Sequence, residues 1–180
     1  MISHNPSLEL KSKEQCLFKS FSQTGARWLW LTVLILLLDR ATKYMVLHTI
    51  RLHHGIFVTP YYNLTLAYNR GAAFSMLSEA KGWQTWLFSG IAMTVSLGLL
   101  IWLFRLKRRQ WWDSIAIALI LGGAIGNLLD RFIYGHVIDF IQWHWHQFFW
   151  PVFNIADSAI CIGSTMLVLQ SLTFKLMKKK

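Results

Sequence analysis

Long apolar runs alternate with polar segments along the chain, and this alternation predicts its elements. Four runs are long enough to be membrane helices, over about residues 28–48, 82–104, 111–131 and 154–174. The clearest, Gly82 to Phe104, carries no charge, and at 1.5 Å per residue it spans roughly 34 Å. Ser114 to Leu129 and Ser158 to Phe174 are likewise uncharged. The first run is apolar only in its first half; its second half holds Asp39, Arg40 and Lys43. Between the first and second runs, residues 56–60 and 64–68 are rich in β-branched and aromatic residues and predict strands. Between the third and fourth, residues 135–140 predict a short extended piece. Trp143, Trp145, Phe148, Phe149 and Trp150 after it read as an interfacial aromatic belt, with His144 and His146 as interfacial polar residues.

Composition agrees with a membrane protein. The 180 residues are 54% hydrophobic and include ten tryptophans, more apolar surface than a soluble domain of this size hides. The formal net charge of +10 raises the question of nucleic acid, but its placement answers against it. The bases gather at residues 105–109 and 178–180, each just outside an apolar run. That is the mark of cytoplasmic loops under the positive-inside rule, and it suits anionic lipid. Both termini are then expected inside and the two segments 49–81 and 132–153 outside. Residues 1–26 are polar and read as a loosely ordered cytoplasmic tail, residues 27–177 as one membrane domain, and residues 178–180 as a basic cytoplasmic end. Asp39, Arg40 and Lys43 exclude a cleaved signal peptide at the first run. Cys16 and Cys161 lie in unlike surroundings with no metal-ligand spacing, so neither a disulfide nor a metal site is expected.

Candidate chemistry concentrates between Gly122 and Asp157, which holds three of the five aspartates: Asp130, Asp139 and Asp157. Gly122, Gly123 and Gly126 share one side of a helix, a spacing that admits close helix packing. Asn127, Asp130 and Arg131 fall on one face near the outer end, where Asp130 and Arg131 are expected to pair. Asn154 and Asp157 have the spacing of a helix cap, which accounts for Asp157 but not for Asp139. Asp39 and Lys43 stand at i and i+4, either as a self-satisfied pair near the outer interface or as the polar wall of a site. Asp139 and Asp157 are both expected near the outer face, at similar depth. Two carboxylates held together share a proton, and such a pair can run acid–base hydrolysis. The residues alone leave a peptidase and a proton-coupled transporter both open. A non-catalytic assembly factor built on the glycine spacing leaves Asp139 unexplained.

Five segments resemble the sequence boxes of the bacterial lipoprotein signal peptidase (signal peptidase II) family. They are Asp39-Arg40-Ala41-Thr42-Lys43, Asn69-Arg70-Gly71-Ala72-Ala73-Phe74, the stretch Gly122 to Arg131 with Asn127 and Asp130, Gly135-His136-Val137-Ile138-Asp139-Phe140, and Phe153-Asn154-x-Ala156-Asp157. The resemblance implies a four-transmembrane-helix bundle, all-α in the membrane, with a small extracytoplasmic β-cradle and a short outer helix near Ser78 to Trp83. It implies an aspartic endopeptidase of the bacterial cytoplasmic (inner) membrane that removes signal peptides from diacylglyceryl-modified prolipoproteins, cutting before the lipid-modified cysteine. Asp139 and Asp157 would be the catalytic dyad. Asn127, Asp130, Arg131 and Asn154 would position dyad and substrate, and Asn69, Asp39 and Lys43 would be supporting or substrate-contacting residues. No cofactor is implied, and globomycin is the expected inhibitor.

Overall fold

The computed structural model describes residues 22–52, 54–71 and 83–178. Four long helices and one small antiparallel sheet make up most of the described chain, with a 3-10 turn, Gly25–Trp28, ahead of the first helix. The helices are α1 (Leu29–Thr49), α2 (Trp83–Arg105), α3 (Trp111–Tyr134) and α4 (Ile155–Met177). The strands are β1 (Gly55–Thr59), β2 (Tyr62–Asn69), β3 (Val137–Trp145) and β4 (Phe148–Phe149), in the order β1-β2-β3-β4. Most of the expected N-terminal tail and nearly all of the expected outer helix at 78–83 lie outside the described residues.

Helices α2, α3 and α4 are each long and apolar enough to cross a membrane. The protein is therefore a multi-pass membrane protein. Helix α1 does not meet that standard by composition, because Asp39, Arg40 and Lys43 crowd its second half.

Helix α3 is the hub, and its small residues explain why. A Cβ at Gly122 would stand 2.9 Å from Ile35 of α1, and one at Gly123 would run into the Ala156 carbonyl of α4. Both neighbours therefore approach α3 at backbone distance, as the glycine spacing predicts. Thr32 of α1 adds a hydrogen bond to the Ala118 carbonyl at 2.9 Å, and Trp112 donates to the Met166 carbonyl of α4 at 3.0 Å. Gly135 ends α3 in the left-handed conformation (φ 73°), its N–H returning to the Arg131 carbonyl at 3.0 Å.

The aromatic stretch after Gly135 is more ordered than the sequence predicts. The expected short extended piece is a nine-residue strand, β3, that runs through Trp143 and folds back as a hairpin onto β4. His146 takes φ 52° in the turn. Strand β2 pairs with β3 through Asn69↔Val137 to Tyr62↔Trp143, with a bulge between Leu64 and Ala67. Beneath the sheet, Val46 of α1 and Ile50, just past its end, pack with Leu66, Ile138 and Phe140. The chain then closes back on itself. Phe153 exchanges backbone hydrogen bonds with Ile141 at 2.8 and 3.0 Å, and its carbonyl also accepts from Phe140. That bridge delivers Asn154, the next residue, beside β3.

Candidate active site

Asn69, Asp139, Asn154 and Asp157 sit near the ends of their backbone elements, whereas Asn127, Asp39 and Lys43 project from within helices α3 and α1. Asp139 is on the buried first half of β3, opposite Ala67 of β2. Asn69 closes β2; its side-chain amide donates to Asp139 Oδ2 at 3.1 Å while its oxygen accepts the Gly71 N–H at 3.0 Å. Asn154 caps α4 and Asp157 occupies the third position of that helix, in a reciprocal capping box. The Asp157 N–H donates to Asn154 Oδ1 at 2.9 Å, and Asp157 Oδ2 accepts the Asn154 N–H at 3.3 Å.

The two proposed dyad members are joined through a pair of carboxamides. Asn154 Nδ2 donates to Asp139 Oδ1 at 2.7 Å. Asn127 Nδ2 donates to Asp157 Oδ1 at 2.7 Å. Between them, Asn154 Nδ2 also reaches Asn127 Oδ1 at 3.2 Å. Residues distant in sequence thus converge on one hydrogen-bonded row.

A buried ionic cluster lies under this row. Lys43 is 1% exposed and has three acceptors for its three N–H bonds: Asp39 Oδ2 at 2.7 Å, Asp130 Oδ2 at 2.6 Å and Asn127 Oδ1 at 3.3 Å. Asp39 Oδ1 accepts the Ala156 N–H at 3.2 Å, and Asp130 Oδ2 accepts the Ile138 N–H at 3.2 Å. Burying such a charge is tolerable only with this degree of pairing. The Asp39–Lys43 pair is therefore not self-contained; it holds α4 through Asp39 and β3 through Asp130.

The expected partnership of Asp130 with Arg131 is not what forms. Asp130 pairs with Lys43 and with Arg40, and Arg40 also bonds the Gly126 carbonyl at 3.3 Å. Adjacent residues on a helix point about 100° apart, so Asp130 turns inward to α1 while Arg131 does not follow. Arg131 bonds the Asn127 carbonyl at 3.4 Å, lies over the Phe88 ring and is close enough to Asp157 and Asp139 to feel their charge. Arg40 is the member of the site that sequence reasoning left out, although an arginine beside Asp39 in an apolar helix signals it.

Burial and the neighbouring charge of Asp157 push the Asp139 carboxyl up to about 7, against the opposing pull of the Asn69 and Asn154 amides and of Lys43. Charge balance points the same way. Arg40, Lys43 and Arg131 face the carboxyls of Asp39, Asp130, Asp139 and Asp157, so one retained proton neutralises the group. The arrangement thus has one carboxyl suited to donate a proton beside a second that accepts two hydrogen bonds at a helix N-terminus.

Long apolar helices under a small sheet, with carboxyls and carboxamides gathered where the two meet, define a membrane enzyme. Two solved bacterial membrane enzymes, determined by the in meso method at 2.3 and 1.9 Å, share the fold. The first matches with TM-score 0.75 at 29% identity over 86% of this chain and 92% of its own; the second has TM-score 0.71 at 29% identity over 82% and 93%. Residues 31–173 match the family model Signal peptidase (SPase) II, and the chain belongs to that family of proteases. The lipoprotein signal peptidase of Pseudomonas syringae pv. tomato is 54% identical over 144 residues, 79% of this chain and 83% of the relative. That of Vibrio vulnificus is 44% identical over 151 residues, 83% of this chain and 90% of the relative.

Proposed function

We propose that this protein removes signal peptides from diacylglyceryl-modified prolipoproteins as an aspartic endopeptidase, with Asp139 and Asp157 as its dyad. The observation that carries the reading is the row Asp139–Asn154–Asn127–Asp157. It gives the two carboxyls different environments within one hydrogen-bonded unit. The relatives' names support the substrate class.

In the proposed mechanism Asp157 is the ionised member and Asp139 the protonated one. Asp157 takes a proton from a water whose oxygen attacks the scissile carbonyl carbon. Asp139 gives its proton to the carbonyl oxygen, so the tetrahedral intermediate carries no net charge. Asp157 then passes its proton to the departing amide nitrogen as the C–N bond breaks, and Asp139 recovers its own from the re-forming carbonyl. Asn127, Asn154 and Asn69 hold the carboxyls, and Lys43, Arg40, Asp39 and Asp130 fix the helices and sheet that carry them.

Helix α1 is the fourth span in this reading: the charges that depress its hydropathy turn toward α3 and α4 rather than to lipid. Both termini face the cytoplasm, and the dyad lies at the outer face of the inner membrane, at the depth where a diacylglyceryl group would fix its cysteine. Globomycin is expected to block the site. Incubating the purified protein with a diacylglyceryl-modified prolipoprotein tests the reading: the parent should release the signal peptide, and Asp139→Asn and Asp157→Asn should not. Cleavage by either variant at the parent rate rejects the dyad.

A further inference from the structure

A polar cavity of about 630 Å³ lies at the other end of the bundle from the carboxyl row, and its lining includes Lys107, Arg109, Trp111, Trp112, Asp113 and Gln170. Along α3 it is roughly 26 Å from Asp130, at 1.5 Å per residue. Its frame is fixed. The turn joining α2 to α3 is closed by Gln110, whose N–H donates to the Lys107 carbonyl at 2.9 Å and whose side-chain oxygen accepts the Lys107 N–H at 3.0 Å. Trp112 is pinned to the Met166 carbonyl, and Trp111 meets it edge-on at 5.7 Å. Asp113 Oδ2 accepts from Gln170 Nε2 at 2.9 Å, across α3 and α4. Neither Asp113 Oδ1 nor Gln170 Oε1 has a partner among the described residues.

We propose that this cavity binds the headgroup of an anionic glycerophospholipid bearing hydroxyl groups. The walls divide by chemistry. Lys107 and Arg109 supply cationic donors for a phosphodiester. The uncapped N-terminus of α3 opens on the same side and favours negative charge. Asp113 would repel a second phosphate, but with Gln170 it offers acceptors to headgroup hydroxyls. Trp111 and Trp112, at the end of an apolar helix, would then sit at the headgroup level where such side chains gather. The occupant is lipid rather than a soluble phosphate because the turn joins two apolar helices, and so sits at the membrane surface.

Lys107 and Arg109 are both exposed, so the fold tolerates their replacement. The test uses the full chain in neutral detergent, titrated with dioleoyl phosphatidylglycerol or dioleoyl phosphatidylcholine and read by native mass spectrometry. Phosphatidylglycerol should be retained in preference to phosphatidylcholine. Lys107→Ala with Arg109→Ala should reduce that preference about 30-fold, about fivefold for each base near an anionic lipid surface. Arg109→Gln alone should reduce it about fivefold by the same reasoning. Arg105→Ala with Lys178→Ala, which removes the same charge outside the cavity, should leave it unchanged. Equal loss in that control pair would show mere surface attraction and overturn the site. So would undiminished retention by the double variant, or competition by glycerol 3-phosphate as effective as by the lipid.

Discussion

Asn154 donates its side-chain amide to Asp139 at 2.7 Å from the N-cap of the helix that carries Asp157. One carboxamide thus sets the start of α4 and one contact of the proposed acid. The two roles separate by substitution. Asn154→Ala loses both, and the cap alone is worth about 1 kcal/mol. Asn154→Ser keeps a capping oxygen but is too short to reach Asp139. The serine variant should melt above the alanine variant yet cleave at least 100-fold more slowly than the parent, measured by thermal unfolding beside a cleavage assay. Cleavage at the parent rate would confine Asn154 to capping.

The Asp139 carboxyl, raised to about 7, gives pH a defined sign. As pH rises through that value the proposed acid loses its proton, so cleavage should decline on the alkaline side with an apparent midpoint near it, a property of the dyad as a unit. Stability should move the same way. A raised carboxyl binds its proton more tightly folded than unfolded, so the folded state loses relative stability as pH climbs from the ordinary carboxyl range toward 7. Melting temperatures measured from pH 4 to 8 should therefore fall less in Asp139→Asn than in the parent.

Lys43 is the keystone of the buried cluster, with its three acceptors on α1 and α3. Lys43→Met leaves Asp39 and Asp130 with less compensation, and breaking a buried pair in this way costs about 3–5 kcal/mol. Lys43→Arg should not rescue it, since a planar guanidinium does not fit three acceptors around one nitrogen. Unfolding of the micelle-bound protein by denaturant measures both. A methionine variant as stable as the parent would mean that the cluster contributes little to the fold.

The glycines of α3 should differ sharply from those of α2. Gly123→Ala drives a methyl into the Ala156 carbonyl, and Gly126→Ala places one 2.9 Å from Asp39 Oδ2, beside the bond that Asp39 makes to Ala156. Overpacking of this kind costs about 1–3 kcal/mol. Gly90 and Gly98 have nothing within 4 Å of an added methyl, and alanine there should be neutral or slightly stabilising by helix propensity. Melting temperatures of the four alanine variants decide the contrast.

Local pattern determined a good part of this protein. Hydrophobic run length predicts the long helices, because crossing a bilayer sets a length that composition alone reveals. The Asn154-x-x-Asp157 cap, the glycine face of α3 and the strand character of residues 56–68 are short-range properties, and each is legible where it stands. The partners are another matter. Asp130 beside Arg131 reads as an ion pair, but Asp130 belongs to Lys43 and Arg40, roughly 90 positions away. The hairpin of β3 and β4 hides in an aromatic run whose composition suits a membrane interface equally well. Most of all, only the tertiary structure brings Asn154 to Asp139. It does so through the Phe153–Ile141 bridge and the close packing of α3 on α4, contacts between segments whose spacing along the chain says nothing of their distance in space.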